Sequence, residues 1–309
     1  MSKIVIYGAG KRGRTLYAFL KRHGTIISYF VDRNYAEIKQ IDSIPVYGYD
    51  YLYKNKNDTR VYICVRNIND YNDVRQQMLN DGICVSEDYK DVYYGNITEN
   101  NRNYIAEFHE LGMDYYFDDA EKWVDYFWTD DSPYYKMFQK LNLDHVVEVA
   151  CGHGRHIEKY KDRSVTIIGV DILQKNIDFC RKRFKDDINV SFIKNNGFDL
   201  EGIPDESQTA VFSYDSFVHF ELIDIFSYLK EMNRVLKPGG RILIHHSNNT
   251  EDYRITFESA IHGRNFMSKQ VFAHLCDRSG FIVKEQLIVD WDEVKDLDCL
   301  TLAEKKLEV

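Results

Sequence analysis

The fold of this chain is decided by one stretch, Val146-Val147-Glu148-Val149-Ala150-Cys151-Gly152-His153-Gly154-Arg155. The four small or β-branched apolar residues among 146–150 predict a short buried strand, and the glycines after it predict a turn that leads into a helix over 155–160. A glycine has no Cβ to keep a ligand's polar atoms away from backbone N–H groups. The N-terminus of the following helix adds free N–H donors and the positive end of the helix dipole. The stretch therefore predicts a strand, a turn and a helix that can bind a ligand.

A carboxylate follows one βα unit beyond this turn. The strand predicted over 166–170 ends in Asp171, the place where α/β nucleotide-binding folds hold a pair of ribose hydroxyls. Strands and helices then alternate, which predicts a parallel sheet with helices on both faces. The predicted strands are 190–193, 210–214, 241–245, 281–287 and one near 299–304, the helices are 174–184, 223–236 and 268–279, and a turn lies at 237–240. The last two strands have no helix between them, which predicts an antiparallel hairpin.

Composition and charge bound the class of protein. The chain has 309 residues, of which 44% are hydrophobic and 29% charged, and a net charge of -9. This length suits two domains, and no basic run indicates nonspecific nucleic-acid binding. The six cysteines are scattered without a CxxC pair, which is typical of thiols in a reducing compartment. A strand starts by Lys3 and no apolar run approaches ~18 residues, so we expect a cytoplasmic protein without a membrane span or a nucleic-acid partner.

The N-terminal segment carries a second glycine turn. Strand 3–7 is followed by Gly8-Ala9-Gly10-Lys11-Arg12-Gly13, and a second strand, 26–31, ends at Asp32. This is the spacing of the dinucleotide fingerprint, with Gly8, Gly10, Gly13 and Asp32 as candidate site residues. Strands at 61–65 and 83–85 and a helix at 70–81 complete about four βα steps, too few for both halves of a nicotinamide-binding domain. Three interpretations stay open: packing glycines without a ligand, a site for a nucleotide-containing molecule, or a hydride-transferring NAD domain.

A polar segment separates the two halves. Residues 95–118 lack a clear strand pattern, so we predict domains at 1–94 and 119–309 with 95–118 as a linker. Two helices, 119–127 and 133–141, open the second domain and are expected to lie across its ligand cleft. The first of them carries an aromatic cluster, for which core packing is favoured over cofactor contact. The cluster consists of Trp123, Tyr126, Phe127 and Trp128.

The motifs of residues 119–309, taken in order, resemble a class I S-adenosylmethionine (SAM)-dependent methyltransferase of the type 11/12 kind. The segment 148–155 resembles the first motif, E/D-x-G-x-G-x-G, with Ala150 in place of its first glycine. Val170-Asp171 resembles the second-strand acid, and 195–200 the segment that contacts adenine. Residues 213–216 resemble the fourth-strand tip beside the methyl group, and 236–240 the turn before the fifth strand.

The resemblance implies a seven-stranded α/β domain with a reversed last strand and SAM as its cofactor. The residues that it implies for SAM binding are Glu148, Ala150, Gly152, Gly154, Asp171, Ile172, Asn196, Gly197 and Tyr214. Asn196 has an alternative interpretation as a simple turn former. Residues 1–94 resemble the small nucleotide- or sugar-nucleotide-binding domains of bacterial polysaccharide-modifying acyltransferases and methyltransferases. The chain is thus expected to contain two Rossmann-like domains.

Methyl transfer to a hydroxyl needs a base, and histidine is the usual one. Candidates are His219, just past the fourth-strand tip, and His245 and His246, at the end of the fifth strand. Because neighbouring residues of a strand face opposite sides, only one of His245 and His246 can face the cleft. Each could instead be a structural histidine, and Asp215 could orient one of them or hold substrate. His153 and His156 are three residues apart, but no further ligand is in view, so no metal is expected and helix capping or solvent exposure is favoured.

The function that these observations favour is O-methylation of a sugar, a sugar phosphate or a nucleotide sugar in surface-polysaccharide synthesis. The acceptor class rests on the resemblance of the N-terminal domain, which also suggests a nucleotide or nucleotide sugar as its ligand. Two alternatives remain. One is a non-catalytic SAM- or nucleotide-binding regulatory protein. The other is a bifunctional enzyme with an NAD-dependent N-terminal domain, although residues 1–94 contain no recognisable Tyr-x-x-x-Lys pair.

Overall fold

Two compact units make up the chain, residues 1–114 and 115–309. The computed structural model describes residues 3–65, 68–86, 102, 106–107, 111, 116–253 and 263–307. The division falls inside the predicted linker, 95–118, most of which lies outside the described residues. The domain limits 1–94 and 119–309 therefore stay predictions.

The first unit is a six-stranded sheet with helices. Its elements are β1 (Lys3–Tyr7), α1 (Lys11–Arg22), β2 (Ile27–Val31), α2 (Tyr35–Ile38), β3 (Gln40–Ile41), β4 (Ile44–Tyr47), α3 (Tyr49–Lys54), β5 (Thr59–Ile63), α4 (Ile68–Asn80) and β6 (Cys84–Val85). The strand order is β3-β4-β2-β1-β5-β6. β3 is antiparallel to β4, and the other neighbouring strands are parallel.

The β3–β4 hairpin and helix α3 were not predicted from the sequence. The two strands are short, and Asp42 and Ser43 join them with positive φ angles of 46° and 71°. A two-residue hairpin turn needs positive φ at both central positions, and Asn-Gly or Asp-Gly is its usual sequence signal. Because neither residue here is glycine, the signal was absent.

The second unit begins with two helices, α5 (Tyr116–Phe127) and α6 (Pro133–Phe138). Ser132 caps α6, since its hydroxyl accepts from the N–H of Tyr135 (3.4 Å). The further elements are β7 (His145–Val149), α7 (Ile157–Tyr160), a 3₁₀ turn (Lys161–Arg163), β8 (Thr166–Asp171), α8 (Gln174–Arg183), β9 (Val190–Lys194), β10 (Gln208–Ser213), α9 (Leu222–Val235), β11 (Leu236–Ser247), α10 (Lys269–Arg278), β12 (Phe281–Trp291) and β13 (Val294–Lys305).

The seven strands of this unit lie in the order β12-β13-β11-β10-β7-β8-β9. β13 is antiparallel to both of its neighbours, β11 and β12, while the pairs from β11 to β9 are parallel. Successive residues of β7 belong to two different hydrophobic clusters. Val147 and Val149 pack with residues of α9 and α10. Val146 packs with residues of α6, α7 and α8. This alternation is expected of a sheet covered on both faces. The predicted fold class, two α/β units with a seven-stranded sheet and a reversed strand in the second, is confirmed.

Two local predictions were wrong. Residues 237–240 do not form a separate turn, because β11 runs through them from Leu236 with a register shift against β10. The final strand begins at Val294, earlier than the predicted strand near 299–304. Pro238 and Gly239 indicated a break, but the antiparallel partner β13 keeps the segment that follows in extended pairing.

Candidate active site

The glycine turn after β7 is built from left-handed residues. Ala150, Gly152 and Gly154 have φ angles of 57°, 55° and 76°. Such angles cost a glycine little but cost an alanine about 1–2 kcal/mol. Ala150, which stands where the family motif has glycine, is therefore a strained residue. A side chain at Gly154 would stand 2.5 Å from the ring of Phe184, so this glycine also permits close packing.

Asp171 ties this turn to the end of β8. Its Oδ2 accepts from the N–H of Gly152 (3.0 Å), and its Oδ1 accepts from the N–H of Leu173 (2.9 Å) and from Nδ2 of Asn176 (3.1 Å). Burial raises the pKa of Asp171 to about 6, and these hydrogen bonds act in the opposite direction. A carboxylate offers about four acceptor positions, and these three bonds fill three of them. The backbone N–H of Ile172, which is half-buried, also acts on this carboxylate.

Glu148 lies buried in β7, beneath the turn. Its Oε2 accepts from the hydroxyl of Tyr160 (3.1 Å). Burial raises the pKa of Glu148 to about 8, against the opposing influence of Tyr160 and of Arg155. The carboxyl group is therefore largely protonated at neutral pH. The hydrogen-bond partner of Glu148 in this structure is the hydroxyl of Tyr160, and the predicted contact with the SAM ammonium or the N–H groups of the turn stays a prediction.

The segment after β9 forms a closed turn. Oδ1 of Asn196 accepts from the N–H groups of Phe198 (3.1 Å) and Asp199 (3.2 Å), and its Nδ2 donates to the Asp199 carboxylate (2.6 Å). Gly197 has a φ of 89°, which suits a tight turn. The amide of Asn196 thus acts as a turn former here, and its contact with adenine stays a prediction.

Tyr214 and Asp215 follow β10 at the carboxyl edge of the sheet. Tyr214 stacks on the ring of His245, with centroids 4.5 Å apart. Asp215 has a φ of 59°, and its carboxylate lies between two guanidinium groups, 3.5 Å from Arg155 and 3.9 Å from Arg264. The backbone N–H of Asp215 donates to Nδ1 of His245 (3.1 Å). Tyr214, Asp215 and His245 therefore form one polar group.

His245 and His246 point to opposite faces of β11, as strand alternation predicts. Nδ1 of His245 accepts from the N–H of Asp215, so its Nε2 carries the hydrogen and donates to Asp298 (3.1 Å). His246 stacks on Phe272 on the other face, with centroids 3.8 Å apart. Its Nδ1 donates to the carbonyl of Ser247 (2.8 Å) and its Nε2 accepts from Thr301 (2.8 Å). Both nitrogens of each ring are thus used within the protein.

His219 lies in the loop after β10 and is held in one tautomer. Its Nδ1 donates to the carbonyl of Gly263 (2.7 Å), so Nε2 is the nitrogen with the lone pair. Burial, followed by the nearby charge of Arg264, lowers the pKa of His219 to about 4. His219 is therefore neutral at physiological pH, the form that a general base requires.

Two further charged residues were missed by sequence analysis. Arg264 donates two hydrogen bonds to Asp298, from Nε to Oδ1 (2.8 Å) and from Nη2 to Oδ2 (2.6 Å). Asp298 is fully buried in β13. Burial raises its pKa, but the bonds from His245 and Arg264 outweigh burial and leave the pKa below its ordinary value. The available signal was an aspartate directly before the largely apolar run 299–303; nothing in the sequence pointed to its partner.

His153 and His156 both pack among aromatic side chains; the expectation of capping or solvent exposure was wrong for the side chain of His156, which is buried at the N-cap position of α7 and makes no cap hydrogen bond. His153 is half-buried and stacks between the rings of Phe117 and Phe179, with centroids 3.8 Å from each. His156 is buried, and its Nδ1 accepts from Nε1 of Trp128 (2.9 Å). Within the described part of the chain, no three His, Cys, Asp or Glu side chains are arranged to hold a metal ion.

The glycines of the turn in the first unit differ in whether packing requires them. A side chain at Gly8, whose φ is 107°, would stand 2.6 Å from the carbonyl oxygen of Cys64, and one at Gly13 would collide with the carbonyl oxygen of Gly8. Gly10 has no neighbouring atom within 4 Å of such a position. Asp32 accepts from the N–H groups of Ala9 (2.7 Å) and Asn34 (2.8 Å). Packing thus requires Gly8 and Gly13, while Gly10 faces open space.

Residues 147–244 match the family model described as a methyltransferase domain. This match supports a SAM-dependent methyltransferase at the general level. Among solved structures, the chain is similar to a SAM-dependent methyltransferase from Methanosarcina mazei, with 17% identity and a TM-score of 0.48 over 58% of this chain and 100% of that chain. It is also similar to an S-adenosylmethionine-dependent methyltransferase from Mesorhizobium loti, with 12% identity and a TM-score of 0.46 over 56% of this chain and 97% of that chain. Among the described residues, no helix has the length and apolar character needed to cross a membrane.

Proposed function

We propose that this protein transfers the methyl group of SAM to an uncharged hydroxyl of a carbohydrate acceptor. The observation that carries the proposal is that two groups lie at the carboxyl edge of the parallel strands β7, β8, β10 and β11, which fall largely within the segment 147–244 that matches the methyltransferase family. One group is the glycine turn with Asp171. The other is the polar group of Tyr214, Asp215 and His245. Open α/β sheets bind their ligands at this edge.

The residues around the glycine turn fit SAM. Each ribose hydroxyl would replace one of the donors from which the Asp171 carboxylate now accepts. Gly152 presents backbone where a side chain would stand 3.0 Å from the ring of Phe117, so that ring would border the bound methionine moiety. SAM supplies a methyl group already activated by the sulfonium, which leaves alignment to the protein.

A neutral hydroxyl must lose its proton as the methyl group arrives, and we assign the role of base to His219, which follows the Tyr214–Asp215 segment after β10. Its tautomer puts the lone pair on Nε2, and its lowered pKa keeps the ring neutral. His245 and His246 use both ring nitrogens in bonds within the protein. They are better suited to hold the site in shape, with Asp215 supporting His245.

The test combines cofactor binding with methyl transfer. Calorimetry with SAM should give saturable binding, and labelled SAM should transfer its methyl group to members of a panel of methyl glycosides and nucleotide sugars. His219→Ala should lower kcat by ~10²- to 10⁴-fold at unchanged SAM affinity, while His274→Ala, at an exposed position of α10, should change neither. Because the pKa of His219 is about 4, activity should fall only near that pH. Failure of SAM to bind would exclude the function.

For the first unit we propose a nucleotide-containing ligand and no redox chemistry. Packing does not require Gly10, so close approach of a ligand is a remaining reason for glycine there. Gly10→Ala should weaken the binding of nucleotide sugars in calorimetry. Incubation with NADH and candidate ketosugars should leave the nicotinamide absorbance unchanged, and steady enzyme-dependent consumption of NADH would favour the bifunctional alternative.

A further inference from the structure

Two aromatic rings contact His245 at the carboxyl edge of the second sheet, and a third ring packs against these two. Tyr214 lies 4.5 Å from His245 and Trp291 lies 5.3 Å from it, between centroids. The ring of Phe127 is 4.9 Å from Tyr214 and 6.3 Å from Trp291. We call Phe127, Tyr214 and Trp291 the ring cluster. Its members come from the ends of α5, β10 and β12 and are half-buried, so each retains accessible surface.

Charges of alternating sign lie beside the ring cluster. Arg155 contacts Asp215, which lies near Arg264, and Arg264 in turn binds Asp298. The guanidinium of Arg264 also lies over the Trp291 ring, 4.6 Å from its centroid. Each of the two cations is matched by one carboxylate, so these groups carry no net formal charge.

This balance selects against an anionic ligand. An incoming phosphate or carboxylate would have to compete with Asp215 and Asp298 for guanidinium groups that they already neutralise, and it would be desolvated beside those carboxylates. A neutral ligand with several hydroxyls can instead donate to the carboxylates and accept from the guanidinium N–H groups without leaving a charge unpaired.

Two buried polar atoms next to Tyr214 add to this pattern. The hydroxyl of Tyr134 and Nε2 of His156 have no hydrogen-bond partner within the described part of the chain. Their rings lie 4.4 and 5.4 Å from the Tyr214 ring. Since Nδ1 of His156 accepts from Trp128, its Nε2 carries a hydrogen. A buried donor without an acceptor is costly, so the N–H of His156 is an unpaired polar group in the layer packed against Tyr214.

From these contacts we infer that the ring cluster and the Arg155–Asp215–Arg264–Asp298 set form the acceptor subsite, and that its ligand is an uncharged, polyhydroxylated ring. The C–H faces of such a ring pack on aromatic side chains, and its hydroxyls form hydrogen bonds with the paired carboxylate and guanidinium groups. Pockets with apolar walls and a few placed polar groups orient small ligands in this way. The inference rests on the proposed function, because it names the substrate class of the same site.

The experiment uses the full chain labelled with fluorotryptophan. The three tryptophans, Trp123, Trp128 and Trp291, give separate fluorine resonances that Trp→Phe variants assign. The probes are the methyl α-glycosides of glucose, galactose and mannose, compared with glucose 6-phosphate, each titrated to ~0.1 M. At least one glycoside should shift the Trp291 resonance and leave that of Trp123, which is 63% exposed on α5, in place. The phosphate should bind at least ~10-fold more weakly.

Two outcomes overturn the inference: no glycoside shifts the Trp291 resonance, or glucose 6-phosphate binds as tightly as the glycosides. Trp291→Ala should abolish glycoside binding at unchanged SAM affinity, and Trp123→Ala is its matched control. If Trp291→Ala fails to fold, the resonances of the wild-type chain still decide. SAM binding without glycoside binding overturns only this inference, whereas glycoside binding without SAM binding overturns the proposed function.

Discussion

Both units join a strand, a turn and an acid by the same hydrogen bonds. In the first unit the N–H of Ala9 donates to Asp32 (2.7 Å), and in the second the N–H of Gly152 donates to Asp171 (3.0 Å). Each acid also accepts from the N–H two residues further along the chain, at 2.8 and 2.9 Å. In each unit, then, the acid at the end of the second strand holds the glycine turn in place.

The units differ in the turn itself. In the first, Gly8 directly follows the strand and donates to the carbonyl of Val31. In the second, Cys151 makes the equivalent bond to Val170, and Ala150 is an additional residue between the strand and this donor. The second turn is therefore one residue longer and contains the strained Ala150.

They differ as well in the strand beneath the turn. Ile6 pairs with Phe30 and Glu148 pairs with Gly169, and both partners lie two residues before the acid of their unit. The first unit thus has a fully buried isoleucine where the second has a buried carboxyl group. A buried acid is costly, and such groups concentrate at functional sites. The glycine pattern that the two units share therefore indicates the fold. The buried carboxyl group is the feature that distinguishes the unit with the candidate active site.

The largest expected effect concerns the packing role of Gly13. Gly13→Ala places a methyl group against the Gly8 carbonyl oxygen, where two backbone segments meet. We expect a loss of at least about 3 kcal/mol in the first unit, seen as faster hydrogen exchange in β1 and β5. Gly10→Ala is the matched control, since nothing lies within 4 Å of its new Cβ, and its cost should stay within about 1 kcal/mol. Wild-type exchange in Gly13→Ala would refute the packing explanation.

Next in size is the pH dependence caused by Glu148. Its pKa is about 8 in the folded chain and near 4.5 when unfolded, so the unfolded state binds fewer protons between these values. The free energy of unfolding should therefore fall as pH rises through this window, by up to about 1.4 kcal/mol per pH unit. Tryptophan fluorescence in urea can measure it for the second unit, since all three tryptophans lie there.

Glu148→Gln should remove this slope between pH 6.5 and 8, a range above the pKa of about 6 of Asp171. The difference between variant and wild type isolates Glu148 from groups that titrate in both. An unchanged slope in the variant would mean that the carboxyl group is ionised in the folded protein at neutral pH.

Replacing the acid at the end of the second strand should lower SAM affinity when the change is made in the second unit and leave it unchanged when the change is made in the first. Asp171→Ala removes an acceptor of the turn and the proposed ribose contact, so SAM affinity measured by calorimetry should drop at least ~10-fold. Asp32→Ala removes the equivalent acceptor in the first unit and should leave SAM affinity unchanged. A folded Asp171→Ala protein that binds SAM like wild type would remove the ribose assignment.

The smallest expected effect is at Ala150. Ala150→Gly relieves a left-handed alanine but adds flexibility to the unfolded chain, so the second unit should gain at most about 1 kcal/mol. Ala9→Gly in the first unit has the opposite sign, a loss of roughly 0.5–1 kcal/mol, because Ala9 is buried and has no positive φ. Destabilisation by Ala150→Gly in urea unfolding would contradict the strain.

Local patterns predicted most of the fold. The periodicity of β7, β8 and β10 and the helices between them was readable because each element has its own apolar pattern. The β3–β4 hairpin was missed because Asp42 and Ser43 give no glycine signal for their positive φ angles. The continuation of β11 through Pro238 was missed because it depends on pairing with β13, a contact between segments far apart in the sequence.

The candidate site was predictable only where the residues are close in sequence. The glycine turn and Asp171 could be found from their spacing, and alternation separated His245 from His246. The orientation of ring nitrogens could not be found, because it is set by distant partners such as Asp298 and Gly263. Arg264 and Asp298 lie 34 residues apart, and no local pattern links them.

The position of β13 imposes an order on how the second unit is made. Because β13 lies between β11 and β12, β11 keeps an unpaired edge and β12 cannot join the sheet until residues 294–305 have been synthesised. Unpaired edges invite pairing with other chains. The same strand brings Asp298 to Arg264 and His245. A ribosome-bound chain that lacks β13 should therefore be aggregation-prone, and its Arg264 should lack the buried carboxylate of Asp298.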